Sequence, residues 1–354
     1  MRAHPHPADQ MTPVERKKAL EEGRDFDRYP AVPFMSEFKC LFTGIGVWDF
    51  WHDPVKMAEA ELRVFERFGQ DRIVIGPNTR GIAEALGAEY VYPENGVPYA
   101  GRPKLSDYGM LEGMEPVDAK SNPRIRDFAR AAELLMEAAG EIVPVEASIG
   151  GPFTLAANLR GVELLLRDLR KCPLEVQKTL RLITDSQKSC IDMAAEYGLG
   201  IAMADPVANP MLVGPKIYEE FVFPYTKELT DYAFYKTGKK VSLHMCGKTN
   251  SIWKYLAKYE LNEISLDNIV DLEEAAKDLG RFVPIAGNVD PVEVMLNGTA
   301  DEIREAVARC IGMGEKAEKG YTLTTGCDIP ETTRPEQVDV FMDAAREYSR
   351  NCHL

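Results

Sequence analysis

Short apolar runs alternate with longer amphipathic segments along most of the chain, after a mostly polar leader of about thirty residues. This alternation is typical of repeated βα units around a parallel sheet. It predicts eight strands: VPFMSEF from Val32, RIVIGP from Arg72, IVPVEASI from Ile142, GIAMADP from Gly200, KVSLHMC from Lys240, EISLDN from Glu263, FVPIAGNVD from Phe282 and YTLTTGC from Tyr321.

The segments between the strands have helical periodicity, and several of them begin with Pro and close with Gly. Helices are predicted over 53–69, 122–140, 173–198, 215–238 and 299–320. Eight strands with separate helices, and no Gly-rich dinucleotide fingerprint, favour a single (β/α)8 TIM barrel over a doubly wound sheet. We therefore expect an N-terminal leader over residues 1–30 and one barrel domain over 31–350.

One stretch does not fit the alternation. Residues Ala85 to Gly109, ALGAEYVYPENGVPYAGRPKLSDYG, are rich in Gly, Pro and aromatic residues and lack a helical period. They predict an excursion of loops, or a small hairpin, after the second strand.

Composition narrows the class of partner. The chain has 354 residues, of which 45% are hydrophobic and 28% charged, and no apolar run approaches the roughly 18 to 20 residues of a membrane span. The formal net charge of −14 opposes binding to nucleic acids or anionic membranes. Small molecules, or another protein, are the expected partners.

The cysteines indicate a reducing compartment. There are seven, an odd number, and none of their spacings forms a short metal or disulfide set. The N-terminus, MRAHPHPADQ, lacks the apolar core of a secretory signal. We expect a cytoplasmic location and mostly free thiols.

The predicted strands end in chemically active side chains. In a (β/α)8 barrel, catalytic residues lie at the carboxyl ends of the strands and in the loops beyond them. An Asp before Pro also commonly caps the next helix, so a cap and a catalytic group are equal alternatives for Asp205, whereas a cap is favoured for Asp290. The candidates at these ends are Glu146, Ser148, Asp205, His244, Cys246, Asp267, Asn268, Asn288, Asp290, Cys327 and Asp328.

His244 and Cys246 have the spacing of two ligands on one strand. Residues i and i+2 of a strand point to the same side, so both should face the barrel mouth while Met245 faces the helices. Cys327 ends a different strand, but all the strand ends meet at one rim. One imidazole and two thiolates suit zinc, with a fourth position open. The spacing alone favours two small buried side chains, and the placement at two predicted strand ends makes a metal site an equal alternative.

Several motifs resemble the uroporphyrinogen decarboxylase superfamily, and most closely its zinc-dependent corrinoid methyltransferase branch, which includes the methylcobamide:coenzyme M methyltransferases. The resemblance covers roughly residues 30 to 348, and its most specific feature is the family's His-x-Cys with a distant Cys. The matching stretches are SIGGPFTLAANLRG, ADPVANPMLVGPKIYEEFVFPYTKEL, LHMCGKT, SLDNIVDLEEAAK, IAGNVDPVEVMLNGTADEI and TLTTGCDIPETTRPE.

The chain departs from the decarboxylase branch. The arginine-rich stretch with which that branch anchors its substrate's carboxylates should fall near FMSEFKCLFTGIGVWDFW, where this chain has acidic, apolar and aromatic residues. A polyacidic substrate would therefore lack its Arg contacts.

The resemblance implies a methyltransferase that moves a methyl group between a corrinoid (cobalamin) and a small thiol or methylated substrate. It implies Zn²⁺ held by His244, Cys246 and Cys327, and a separate corrinoid protein as partner. Asp205 resembles the family's acidic residue, which would orient a ligand or take the thiol's proton. Glu146 is a candidate fourth metal ligand, and Asp267 and Asn288 are candidate contacts to substrate or corrinoid.

Two other functions remain open from the sequence. One is a zinc methyltransferase that uses a folate methyl donor and no corrinoid. The other is a decarboxylase-like protein that binds a tetrapyrrole or corrinoid without catalysis. The methyl donor, the acceptor and the direction of transfer are not determined by these residues.

Overall fold

The eight predicted strands all form, and they pair into one parallel sheet. The computed structural model describes residues 2–352 of the chain, and side chains as far as Tyr348. Its strands are β1 (Ala31–Val32), β2 (Ile73–Asn78), β3 (Tyr90–Val91), β4 (Tyr99–Ala100), β5 (Val145–Gly150), β6 (Gly200–Ala204), β7 (Val241–Met245), β8 (Leu261–Leu266), β9 (Ile285–Val289) and β10 (Tyr321–Thr325).

Helices connect the strands on the outside of the sheet. The α-helices of the described range are α1 (Pro13–Glu21), α2 (Phe38–Thr43), α3 (Val47–His52), α4 (Pro54–Phe68), α5 (Gly81–Ala85), α6 (Pro123–Ala139), α7 (Pro152–Arg160), α8 (Val162–Lys171), α9 (Pro173–Glu196), α10 (Pro210–Ile217), α11 (Phe223–Thr237), α12 (Trp253–Leu256), α13 (Leu272–Asp278), α14 (Ala300–Gly314) and α15 (Pro335–Cys352). Within residues 2–352, we find no helix that is both long enough and apolar enough to cross a membrane.

The sheet closes on itself. Its strand order is β1-β10-β9-β8-β7-β6-β5-β2, so β1 and β2 lie at the two ends. The backbone N–H of Asp71, just before β2, donates to the carbonyl of Ala31 in β1 at 3.0 Å, which brings those ends together. The predicted (β/α)8 TIM barrel is confirmed, and the carboxyl ends of its strands share one rim.

The first strand is much shorter than predicted. Only Ala31 and Val32 pair with β10, whereas the apolar run predicted a strand as far as Phe38. Pro33 has no N–H to donate to a neighbouring strand, so pairing ends there. The following residues instead turn across the barrel mouth, and α2 begins at Phe38.

Two other segments depart from the regular alternation of strand and helix. The predicted excursion after β2 contains an antiparallel hairpin, in which Tyr90 of β3 pairs with Ala100 of β4. The helix predicted over 215–238 is interrupted by a π-helical turn at Tyr218–Val222, and α11 starts at Phe223. Pro224 lacks an N–H, so it is accommodated in the first turn of a helix and not in its interior.

The N-terminal segment is bound to the barrel by buried charges. Arg28 donates to Asp9 at 3.0 Å and also contacts Asp71, beside β2. Arg346 of α15 reaches the other oxygen of Asp9 at 2.8 Å. Burial alone would raise the pKa of Asp9, but the hydrogen bonds and charges of the two arginines outweigh it and lower the pKa to about 2. These contacts join both ends of the chain to the closing strands.

We expect Asp9→Asn to lower the free energy of unfolding by about 2 to 3 kcal/mol at pH 7, because it leaves two buried guanidinium groups without their shared carboxylate. The pKa of Asp9 is lowered in the folded state, so its contribution is present above about pH 4 and is lost as the pH falls towards 2. Urea denaturation at several pH values measures both effects. Asp339→Asn, at an exposed ion pair with Arg67, should cost less than about 1 kcal/mol.

Candidate metal centre

Two strands that are not neighbours in the sheet bring three soft ligands together. His244 lies near the end of β7, and Cys246 follows that strand directly. Cys327 follows β10, which is separated from β7 by β8 and β9. Met245, between the two β7 ligands, is buried at 1% exposure and contacts Tyr218 outside the sheet. The alternation of a strand therefore turns His244 and Cys246 to the same side, as predicted.

The three candidate ligand atoms are close enough together to hold one metal ion. Nε2 of His244 lies 3.3 Å from Sγ of Cys246, and that sulfur lies 3.9 Å from Sγ of Cys327. All three atoms are within 4.8 Å of one another. Zinc bonds of about 2.0 to 2.3 Å at tetrahedral angles separate ligand atoms by about 3.5 to 3.8 Å. The sulfurs are too far apart for a disulfide, whose bond is about 2.05 Å. The donor set fits a zinc ion.

The two sulfurs affect each other's pKa. A hydrogen bond from Cys246, together with the neighbouring His244, lowers the pKa of Cys327. The same hydrogen bond and burial raise the pKa of Cys246. One thiolate forms readily, whereas a second would face the first at close range. A divalent cation between the sulfurs offsets that repulsion and allows both to ionise.

A hydroxyl orients the imidazole. Nδ1 of His244 is 3.0 Å from Oγ of Ser265, and Ser265 lies opposite His244 in the register of β7 and β8. The ring edge of His244 also packs against Phe34, with ring centroids 5.4 Å apart. These contacts leave Nε2 directed at Cys246. A partner on the second ring nitrogen is usual for a metal-binding histidine.

Asp267 and Asn288 support the loop that begins at Gly247, directly after Cys246, which is called the ligand loop below. Asp267 accepts a hydrogen bond from the backbone N–H of Gly247 at 2.7 Å, directly after Cys246. Gly247 has φ of +79°, a conformation that strongly favours glycine. Asn288 is buried and donates to the carbonyls of Asp267 and Val270. Neither side chain lines the cavity described below.

The structure does not bring Glu146 to the ligand group. Its strand, β5, starts only at Val145, so Glu146 lies near the amino end of the barrel and not at the mouth. Its carboxylate accepts from Ser242 at 3.2 Å and lies 3.4 Å from Nε of Arg72. Ser242 precedes His244 by two residues on β7, so this carboxylate is one layer deeper than the ligands. Burial raises its pKa.

Asp205 joins the first turn of α7 to the segment that follows β6. One carboxylate oxygen accepts from both the N–H and the hydroxyl of Thr154, at 2.8 and 2.6 Å. The second oxygen, within the described part of the chain, has no hydrogen-bond partner, and burial raises the pKa of the group to about 6. A Cβ on Gly151 would come within 2.1 Å of the Asp205 carboxyl carbon, so only glycine fits there. Asp205 does not line the cavity.

A cavity of about 370 Å³ opens beside His244 and extends down the barrel. Its floor contains Arg72, Ser242 and Glu263. Its upper wall is the segment that follows the short β1 and crosses the barrel mouth. The lining residues from that wall and from the adjacent helices and loops are Val32, Pro33, Phe34, Met35, Ser36, Glu37, Lys39, Phe50, Trp51, Met57, Glu61 and Arg80.

Sequence reasoning missed most of this wall, although one signal was available. On α4 the buried apolar residues Met57, Val64, Phe65 and Phe68 recur at helical spacing, and Glu61 falls in the same stripe. An acidic residue inside an apolar stripe indicates a buried partner or a cavity.

The chain is similar to known proteins over nearly its whole length. A family model described as uroporphyrinogen decarboxylase matches residues 12–348. The methylcobamide:CoM methyltransferase MtbA of Methanosarcina mazei is 30% identical over 348 residues, which are 96% of this chain and 99% of that protein. The methylcobamide:CoM methyltransferase MtaA of Methanosarcina barkeri is 25% identical over 349 residues, again 96% and 99% of the two chains.

A solved structure has the same fold. The structure of a methyltransferase from Methanosarcina mazei superimposes with a TM-score of 0.84 over 96% of this chain and 99% of that one, at 24% identity. At that identity the likeness establishes the barrel and its added segments, and nothing about the ligand group.

Proposed function

The chain belongs to the uroporphyrinogen decarboxylase family, and from that membership we propose that it is a zinc-dependent methyltransferase acting between a corrinoid and a small thiol or methylated substrate. The observation that carries the proposal is the meeting of His244, Cys246 and Cys327 beside a cavity at the barrel mouth. The names of the full-length relatives support the corrinoid.

The residues that would hold zinc are His244, Cys246 and Cys327. When bound, zinc would lower the pKa of a substrate thiol, so that a nucleophilic sulfur is available at neutral pH. Ser265 keeps the imidazole in one orientation, and Asp267 holds the backbone after Cys246. These fixed contacts reduce the reorganisation that ligand binding requires.

The remaining residues named from the sequence take positioning roles in this proposal. Asp205 joins the first turn of α7 to the segment after β6 and leaves the proton of the thiol to solvent. Glu146 is a counter-ion of Arg72, and the fourth zinc position is left to the substrate. Asp267 and Asn288 act on the shape of the ligand loop and not on substrate directly.

The proposed methyl transfer conserves atoms and electrons, so it needs no further reactant. In the thiol direction the sulfur supplies the electron pair of the new C–S bond, and the Co–C bond breaks with its electron pair left on cobalt. Methylcob(III)alamin thereby becomes cob(I)alamin, and the thiol proton passes to solvent. The reverse transfer starts from cob(I)alamin and a methylated substrate.

Exposed apolar side chains on the rim support a corrinoid protein as partner. Met211 and Leu212 follow β6, Ile269 follows β8 and Val292 follows β9, and these four side chains are between 43% and 67% exposed. The backbone N–H of Lys248, two residues after Cys246, lies 3.4 Å from the Met211 sulfur, so this apolar surface adjoins the ligand group. Apolar surface at a mouth is suited to a large planar ligand or its carrier.

A spectroscopic assay tests the proposed activity. The zinc-loaded protein is mixed with methylcobalamin and a series of thiols, and then with cob(I)alamin and methoxylated or methylamine donors. We expect interconversion of methylcob(III)alamin and cob(I)alamin in at least one direction, and none without protein. Methyl transfer from a methylfolate in the absence of any corrinoid, or tight corrinoid binding with no transfer at all, would contradict the proposal.

A further inference from the structure

The cations in the cavity wall are already neutralised by the chain itself. Among the described residues that line the cavity, the cations are Lys39, Arg72 and Arg80. Lys39 lies 2.6 Å from Glu61, Arg72 lies 2.6 Å from Glu263, and Arg80 lies 2.9 Å from Glu37. Each pair is at least 88% buried.

The arginines have additional partners. Arg72 also donates to Ser242 at 2.8 Å, and its Nε lies 3.4 Å from Glu146, although this nitrogen has no hydrogen-bond partner among the described residues. The guanidinium of Arg80 packs over the ring of Trp51, 4.5 Å from its centroid. An acidic group on a substrate would have to displace one of these carboxylates to gain a counter-ion.

Carboxylates outnumber cations in the wall. The lining contains four of them, Glu37, Glu61, Glu263 and Asp328, against the three cations. Glu61 is 1% exposed, and its second oxygen has no hydrogen-bond partner in the part of the chain that the structure describes. Burial raises the pKa of Glu61, so an incoming cation would favour its ionised form.

Resting on the proposed function, we infer that the small substrate of this cavity carries an uncharged or positively charged group at the end remote from its reacting atom, and that Glu61 receives that group. An acidic tail would enter a space whose three buried cations are each already paired with a buried carboxylate of the chain, and like charges at short range in a protein interior are strongly unfavourable. Phe34, Phe50, Trp51 and Met57 provide apolar contact to the remainder of the substrate.

A matched series of three ligands tests this inference on the zinc-loaded protein. The S-methyl forms of cysteamine, 2-mercaptoethanol and 2-mercaptoethanesulfonate differ in tail charge, and none can ionise at sulfur. Isothermal titration should give the tightest binding for the amine and at least about tenfold weaker binding for the sulfonate than for the alcohol. Initial rates of methylcobalamin demethylation by the three free thiols should follow the same order.

The outcomes separate this inference from the proposed function. If the sulfonate binds and reacts as well as the other two, the inference is wrong while the methyltransferase assignment stands. If none of the three binds or reacts, the proposed activity on small thiols fails and this inference fails with it.

A variant tests whether Glu61 causes the preference for the amine tail. Glu61→Gln should remove the advantage of the amine over the alcohol, while Glu59→Gln, at an exposed ion pair on the same helix, should keep it. An unchanged amine preference in folded Glu61→Gln would rule out Glu61 as the receiving group. Since the wild-type series stands alone, the charge preference is decided even if this variant does not fold.

Discussion

Replacing Cys246 or Cys327 by serine is expected to abolish both zinc retention and methyl transfer. A serine hydroxyl is a poor zinc ligand at neutral pH, and each variant leaves two of the three ligands that converge at the barrel mouth. Loss of an outer-shell partner alone typically costs about 10- to 100-fold in metal affinity, so loss of a direct ligand should cost more than about 100-fold. Elemental analysis after dialysis against a weak chelator measures the zinc, and the methylcobalamin assay measures the transfer.

Cys172→Ser is the matched control. Cys172 is a partly buried free thiol between α8 and α9, and it is outside the ligand group. That variant should keep both zinc and activity. Stoichiometric zinc in both Cys246→Ser and Cys327→Ser would mean that the metal lies elsewhere, and the proposed centre would be wrong.

The meeting of these three residues could be predicted because it depends on few physical rules. A strand turns residues i and i+2 to one side, which fixes His244 relative to Cys246. A closed parallel barrel brings every carboxyl end to one rim, which explains how Cys327 comes near despite its distance in sequence. Both rules depend only on where strands end, and the apolar runs predicted those ends to within two residues for β7 and β10.

The position of Glu146 could not be predicted in the same way. The run from Ile142 suggested a strand with Glu146 towards its end, but Pro144 cannot donate a hydrogen bond and β5 starts at Val145. A shift of a few residues along a strand changes the layer that a side chain occupies in the barrel. The depth of Glu146 in the barrel is set by its contacts with Arg72 and Ser242, which come from distant parts of the sequence.

Most of the cavity wall was also beyond sequence reasoning. Its charged residues Glu37 and Lys39 come from the region after the short β1, where the alternation of strand and helix breaks down, whereas Glu61 lies on α4 and Arg80 follows β2. Which cation faces which carboxylate is a property of the folded wall. The sequence predicted that the arginine-rich stretch of the decarboxylase branch is missing, and in the structure Glu37 and Lys39 of that region are held in buried ion pairs.

We expect Arg72→Met to lower the free energy of unfolding by about 3 to 5 kcal/mol. Methionine fills similar volume, but the variant leaves Glu263 and Glu146 facing each other in the barrel interior without a cation. Removal of one partner from a buried ion pair costs this much because the remaining charge is neither solvated nor compensated. Urea denaturation at pH 7 measures the loss, and zinc analysis of the folded fraction should find the metal retained.

Two further variants separate charge from packing. Arg67→Met, at an exposed ion pair with Asp339, should cost less than about 1 kcal/mol because solvent screens that pair. Adding Glu146→Gln and Glu263→Gln to Arg72→Met removes the uncompensated charges and should recover more than half of the lost stability. If Glu146→Gln alone instead releases zinc, then Glu146 reaches the metal after all, and its assignment as a counter-ion of Arg72 is wrong. If zinc stays bound while stability falls, the carboxylate belongs to the barrel interior, and the fourth zinc position is left for the substrate.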